Sequence, residues 1–226
     1  MGEKNRLFNV QEVAHSEVIE KLVKSSSPRK TFLMLIFLSS IIATLGILNE
    51  NAFVVIGAML VAPILSPVLA IGMGLIVRDS RMVVLSILAL VFAFTIAIVT
   101  AVGVTFFSLP LGAVNGFLQQ TDIGFMVPVA IAAGAAAAFA ISYSSIREAV
   151  AGVAISVALL PPLVTVGIGL GGSDWELMIR ALQVFGLNCL GIILVALVIF
   201  SLLGFGRFRR SAEQAVKKEQ KVLKSK

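Results

Sequence analysis

Ile56-Gly-Ala-Met-Leu-Val-Ala-Pro-Ile-Leu-Ser-Pro-Val-Leu-Ala-Ile-Gly-Met-Gly-Leu75 decides the reading of this chain, because it returns. Laid without a gap on Ala151-Gly-Val-Ala-Ile-Ser-Val-Ala-Leu-Leu-Pro-Pro-Leu-Val-Thr-Val-Gly-Ile-Gly-Leu170, 95 residues later, it pairs Gly57 with Gly152, Leu65 with Leu160 and Pro67 with Pro162. Gly72 pairs with Gly167, Gly74 with Gly169 and Leu75 with Leu170, and Asp79 meets Asp174 beyond the stretch. Apolar identities carry little information in an apolar chain. Matches at proline and glycine carry more, because each of those residues answers to the backbone.

Six apolar segments surround and contain the repeated stretch: Thr31–Leu48, Ala52–Val77, Arg81–Phe107, Met126–Tyr143, Glu148–Leu170 and Trp175–Leu203. At 1.5 Å per residue each reaches across a hydrocarbon core of about 30 Å, the first and fourth most tightly. The 226 residues are 58% hydrophobic and 13% charged. A soluble domain is about a quarter charged, so the composition excludes an ordinary soluble domain, a disordered chain and a disulfide scaffold. No segment alternates as a barrel strand does. The first thirty residues are too polar and too long for a signal peptide, so the first span is expected to stay as an anchor.

Charge placement gives the expected orientation. Of the 18 Lys and Arg, six precede the first span, eight follow the last, and Arg78, Arg81 and Arg147 fall in alternate loops. If all six segments cross, every basic segment lies on one side, which the positive-inside rule makes cytoplasmic. The same offset pairs the first span with the fourth and the third with the sixth. Three spans per unit is odd, so the second unit enters from the opposite side. The expected fold is an all-α polytopic membrane protein of two inverted three-span repeats with proline-broken helices. It divides the chain into a cytoplasmic amphipathic segment (1–30), repeat 1 (31–107), an extracytoplasmic connector (108–125), repeat 2 (126–204) and a basic cytoplasmic tail (205–226).

Prolines inside a helix free carbonyls, and in a membrane such groups must be buried in protein or line a wet cavity. Pro63, Ser66 and Pro67 of the second span, with Pro161, Pro162 and Thr165 of the fifth, are therefore the expected substrate or ion pathway. The prolines would expose carbonyls, and the Ser and Thr would add hydroxyls. Gly72, Gly74, Gly167 and Gly169 are expected to serve packing, movement or helix termination. Asp79 and Asp174 read as N-caps, the latter within the capping box Ser173-Asp-Trp-Glu176. Cys189 is alone and His15 reads as solvated, so no metal centre or cofactor is expected, and no hydrolase motif points to an enzyme. The run Ala130-Ile-Ala-Ala-Gly-Ala-Ala-Ala-Ala-Phe-Ala140 asks for a close partner helix, within the fold or in a homo-oligomer. The basic ends are expected to meet anionic lipid head groups, not nucleic acid. The function expected is a membrane transporter or channel for a small solute or ion. The competing class is a membrane scaffold or sensor.

From Asn51 through Gly57-Ala-Met-Leu-Val-Ala-Pro-Ile-Leu-Ser-Pro67, and again at Ala151–Leu170 with Pro161-Pro162, the sequence resembles the hydrophobic membrane proteins grouped as domain of unknown function 389. The resemblance runs from about Thr31 to Leu170. It implies a polytopic protein of a prokaryotic cell membrane, and it brings no substrate or catalytic residue with it.

Overall fold

The computed structural model describes residues 15–108, 123–143 and 159–224, all helical or in short connections. The helices are α1 (His15–Ser25), α2 (Lys30–Leu48), α3 (Ala52–Val61), α4 (Leu65–Val77), α5 (Ser80–Ser108), α6 (Ile123–Ser142), α7 (Leu160–Gly171), α8 (Trp175–Leu202) and α9 (Arg209–Lys224), with a 3-10 turn at Phe205–Arg207. Of the expected connector, residues 109–122 lie outside the described residues, as do Arg147 and residues 148–158 of the fifth span; residues 123–125, expected in the connector, begin α6.

α2, α5 and α8 are 19, 29 and 28 residues long and apolar enough to cross a membrane. α3 and α4 form an apolar pair bent by 48°, a broken span or a re-entrant loop. Pro128–Ser142 and Leu160–Gly171 are shorter apolar helices. The described residues thus hold three to four candidate spans. These helices are apolar all round: Val84, Val91 and Val99 on α5, and Leu190, Leu194 and Val198 on α8, are each more than half exposed. Such a surface is at home in lipid and costly in water. Phe53, Phe106, Phe107 and Trp175 are exposed together at the end away from the chain termini, as an interfacial belt would be.

Beneath that surface, α5 and α8 run antiparallel, and each packs against both α4 and α7. α6 lies along α8. A Cβ on Gly134 would meet Ile192 Cα at 2.9 Å, and one on Gly191 would meet Ala130 Cβ at 3.1 Å. The small-residue run of α6 therefore finds its close partner inside the same chain.

Both connections into the long helices are built alike. Asp79 Oδ1 accepts from Arg81 and Met82 N–H at 2.9 and 3.0 Å, and Asp174 Oδ1 accepts from Leu177 N–H at 2.9 Å. The residue before each cap, Arg78 or Ser173, is left-handed at φ 56° or 59°. The caps' own N–H groups reach back to the carbonyls of Gly74 and Gly169, at 3.0 and 2.8 Å, the 6→1 bond of a Schellman end. Replacing Asp79 by Ala should lower stability by about 1 kcal/mol, whereas Ser there, which keeps an acceptor, should recover most of it; thermal melts in detergent measure both.

The first and last described helices meet. α1 packs against α9 and α4 and buries Val18, Ile19, Leu22 and Val23, while α9 buries Ala212 and Val216. Arg29 donates to Glu219, which is 5% exposed, and Lys218 pairs with Glu20 at 2.6 Å. The Lys218 hydrogen bond holds the Glu20 carboxyl below its ordinary range. A carboxylate with a lowered pKa contributes above its unfolded value and loses that contribution as pH falls through the lowered one. His15, expected to be solvated, instead donates Nε2–H to Leu203 O at 3.0 Å and stacks on Phe208 at 4.3 Å. An amphipathic stripe shows that a helix has a buried side; the partner here is the chain's own tail.

Candidate functional site

The second span breaks where its prolines predict. Ala62 leaves helical backbone at ψ 118° and closes α3, and α4 starts at Leu65. α7 starts at Leu160. Leu65 and Leu160 are partners under the 95-residue offset, so Pro67 and Pro162 both occupy the third position of a helix. A first-turn proline removes an N–H that has no partner within its helix anyway. On the described residues, then, Pro67, Pro161 and Pro162 begin helices and do not interrupt them. Pro63 is the one that stands in the break itself, half-buried beside half-buried Ser66.

Both half-helices are enclosed. Every residue from Pro67 to Gly74 is buried, as is every residue from Pro162 to Gly169, and Leu75 and Leu170 are exposed. The exposed ends coincide under the offset, while at the other end the buried run of the second unit starts earlier, at Leu159. Two glycines on each half-helix explain how short, apolar segments pack so deeply. A Cβ on Gly72 would meet Ala196 Cβ at 3.1 Å and Ile193 O at 3.5 Å; one on Gly167 would meet Ala101 Cβ at 2.6 Å and Ile98 O at 2.7 Å. Ala101 and Ala196, and Ile98 and Ile193, are again 95 apart. A Cβ on Gly74 would meet Val83 N at 3.2 Å, and one on Gly169 would meet Met178 N at 2.8 Å, the same pairing once more.

These contacts fix where the half-helices start. α4 lies beside the first turns of α5 and the last turns of α8, and α7 beside the last turns of α5 and the first of α8. Stepping back along each at 1.5 Å per residue, Leu65 and Leu160 come to about the same level, near Ala93 of α5 and Asn188 of α8. Ala93 and Asn188 are buried and are themselves offset partners. The candidate site is this level, where two helix starts approach from opposite ends of the bundle. α4 and α7 are each held between α5 and α8, and α7 also touches α3, the first half of the second span.

The hydroxyl of Thr165, expected to face a pathway, donates to Pro161 O at 2.8 Å and is 1% exposed. It thereby satisfies a carbonyl next to the helix start. Ser39, Ser40 and Thr44 of α2 are likewise buried and bonded to carbonyls of their own helix. Sequence reasoning did not single out these three, since hydroxyls on an apolar helix carry no signal until the neighbours are known. The described residues contain no group of three or more His, Cys, Asp or Glu able to hold a metal ion.

The family model described as "Domain of unknown function (DUF389)" matches residues 59–194, which includes α4, α5, α6 and α7. The chain belongs to the DUF389 family. This DUF389 chain is also 30% identical over 182 residues to the uncharacterized protein MJ0678 of Methanocaldococcus jannaschii. The similarity covers 80% of this chain and 56% of that protein, so the chain spans little more than half the relative's length. No solved structure matches it.

Proposed function

We propose that this DUF389 protein is a membrane transporter or channel for a small solute or ion, built from six spans in two inverted three-span repeats. The observation that carries the reading is the pair of enclosed half-helices starting at one level of the bundle. Pro67, Pro161 and Pro162 remove N–H groups from those first turns and Leu163 N–H bonds to Leu159 O, so the reading rests on the placement of the two starts, since secondary transporters place interrupted helices at a midplane site between inverted repeats. The recurrence of the Gly72–Ala196 contact as Gly167–Ala101 supports the pseudo-two-fold. In an inverted pair, each repeat's half-helix packs on the other repeat's long helix and reaches the centre from its own side.

The residues assigned to the pathway are Pro63, Ser66, Pro67, Pro161, Pro162 and Thr165, with Gly72 and Gly167 letting the repeats pack closely or slide. Thr165 supports the start of α7 through Pro161 O, and Ser66 is the hydroxyl available to a solute. Both termini are assigned to the cytoplasm of a prokaryotic cell, where basic residues of the tail meet anionic head groups. Homo-oligomerisation stays part of the reading through the broad apolar outer surface, and mass measurement in nanodiscs checks it. The competing reading is a scaffold or sensor, favoured by the extent to which α1 and α9 clasp each other.

Single cysteines in each loop, on a Cys189→Ser background, should label from outside only between α2 and α3, between α5 and α6, and between α7 and α8. Labelling of the Arg78–Ser80 turn from outside would overturn the six-span inverted arrangement. Flux is tested in proteoliposomes against a panel of ions and small solutes. Ser66→Ala and Gly72→Leu should each reduce transport at least tenfold at equal protein incorporation. Flux indistinguishable from empty liposomes across the panel, or indifferent to both changes, returns the protein to the scaffold class.

A further inference from the structure

At the end of the molecule where α4 and α8 finish, a cavity of about 770 Å³ opens beside α1. Its polar lining includes Arg78, Arg207 and His15, and its apolar lining includes Leu75, Leu202 and Phe208. Among the described residues, no Asp or Glu lines it. Arg78 and Arg207 are both exposed and form no ion pair among the described residues, unlike Arg29, Arg180 and Arg209. Two unpaired guanidinium groups at one cavity are a demand for an anion, and their forked donors suit phosphate oxygens.

Helix C-termini ordinarily argue the other way, since their carbonyls favour cations. Here several of those carbonyls are already engaged. Gly74 O accepts from Asp79 N–H at 3.0 Å, and Ile199 O and Ser201 O accept from Leu203 and Gly204 N–H at 2.9 and 3.0 Å. Leu203 O accepts from His15. The cavity is thus left with cationic groups and an apolar rim. Leu75 is 50% and Leu202 69% exposed at the ends of two helices whose outer faces are apolar. A soluble anion would leave that rim unused, whereas an amphiphile would cover it.

We propose that this cavity is a binding site for a phosphodiester head group of an anionic phospholipid, held by Arg78 and Arg207, with acyl chains running along Leu75 and Leu202. This assignment is independent of transport and needs only that the apolar helices lie in a bilayer. It differs from diffuse attraction of the tail to a charged surface in requiring one lipid at two named side chains.

Native mass spectrometry of the full chain in neutral detergent tests it, with phosphatidylglycerol and phosphatidylcholine of identical acyl chains. One phosphatidylglycerol should be retained, at least tenfold more tightly than phosphatidylcholine. Arg78→Gln/Arg207→Gln should abolish that preference, the double Lys variant should keep part of it, and Lys217→Gln, an exposed charge outside the cavity, should leave it intact. Equal retention of the two lipids overturns the proposal, as does an equal loss from Lys217→Gln, which would mean charge alone. Competition by glycerol phosphate as strong as by the lipid would assign the cavity to a soluble phosphate ester instead. If the double Gln variant fails to fold, the two single variants and the Lys pair carry the same comparison, and no lipid preference change in any of them is a refutation.

Discussion

Gly167→Ala is expected to lower the melting temperature of the purified protein more than any other single glycine-to-alanine change on the described helices apart from Gly169→Ala. The added methyl would lie 2.6 Å from Ala101 Cβ, 2.7 Å from Ile98 O and 3.2 Å from Ile98 Cα. Two of those three atoms are backbone, so no side chain can turn away, and α5 and α7 must separate. Overpacking of this kind costs about 1–3 kcal/mol and occasionally more. Its offset partner Gly72 meets Ala196 Cβ at 3.1 Å and no backbone atom nearer than 3.5 Å, so Gly72→Ala should fall well short of Gly167→Ala. Gly57, Gly103 and Gly186 have nothing within 4 Å of an added Cβ. Alanine there should be neutral or slightly stabilising, by up to about 1 kcal/mol of helix propensity. Ala101→Gly should rescue Gly167→Ala only in part, because Ile98 O remains. Equal melting temperatures for the Gly167 and Gly57 variants would show that the α5–α7 contact is not close-packed.

Leu22→Ala should release the clasp between the chain ends while leaving the membrane bundle folded. Leu22 is fully buried with Val18, Ile19 and Val23 on the face of α1 that meets α9 and α4. Truncating such a leucine costs about 2–5 kcal/mol. The Lys218–Glu20 pair is exposed and screened by solvent, so Glu20→Ala should do little. Limited proteolysis reads the difference: cleavage in α1 and α9 should accelerate at least tenfold for Leu22→Ala and hardly at all for Glu20→Ala. Unchanged cleavage of the leucine variant would show that apolar burial does not hold the ends together. Loss of the bundle along with the clasp would show that the two are one cooperative unit.

Much of this architecture is legible in the sequence because its causes are local or periodic. Helices apolar on every side, the turn residues Asp79 and Asp174, and the break near Pro63 each follow from a few neighbouring residues. The offset of Pro67 and Pro162 locates both helix starts, since a proline in a first turn is tolerated at no cost in hydrogen bonds. What sequence could not supply is which surfaces meet. The stripe of α1 announces a buried face without naming α9 as its cover, and so His15 reads as solvated when it is held by Leu203 O and Phe208. The small residues of α6 call for a close neighbour equally well inside the chain or in a second copy. Thr165 looks free to bind a solute until the helix start at Leu160 places Pro161 O one turn away. The expectation of freed carbonyls treated each span as one helix; Pro63 does stand in a break, whereas Pro67, Pro161 and Pro162 stand in first turns, where a proline removes an N–H that has no partner within its helix.

The crossed packing of the half-helices has a consequence for how the protein is made. α4 emerges from the ribosome early, yet the surface that receives Gly72 is on α8, about 100 residues later in the chain and the last candidate span among the described residues. α7 reaches back for Ala101 of α5 in the same way. Neither half of the chain holds a complete core, so the early helices must wait in the bilayer with a small-residue groove unfilled. Closure of the core therefore waits for α8, and a nascent chain arrested before Trp175 should remain open to membrane quality-control proteases that the finished molecule resists.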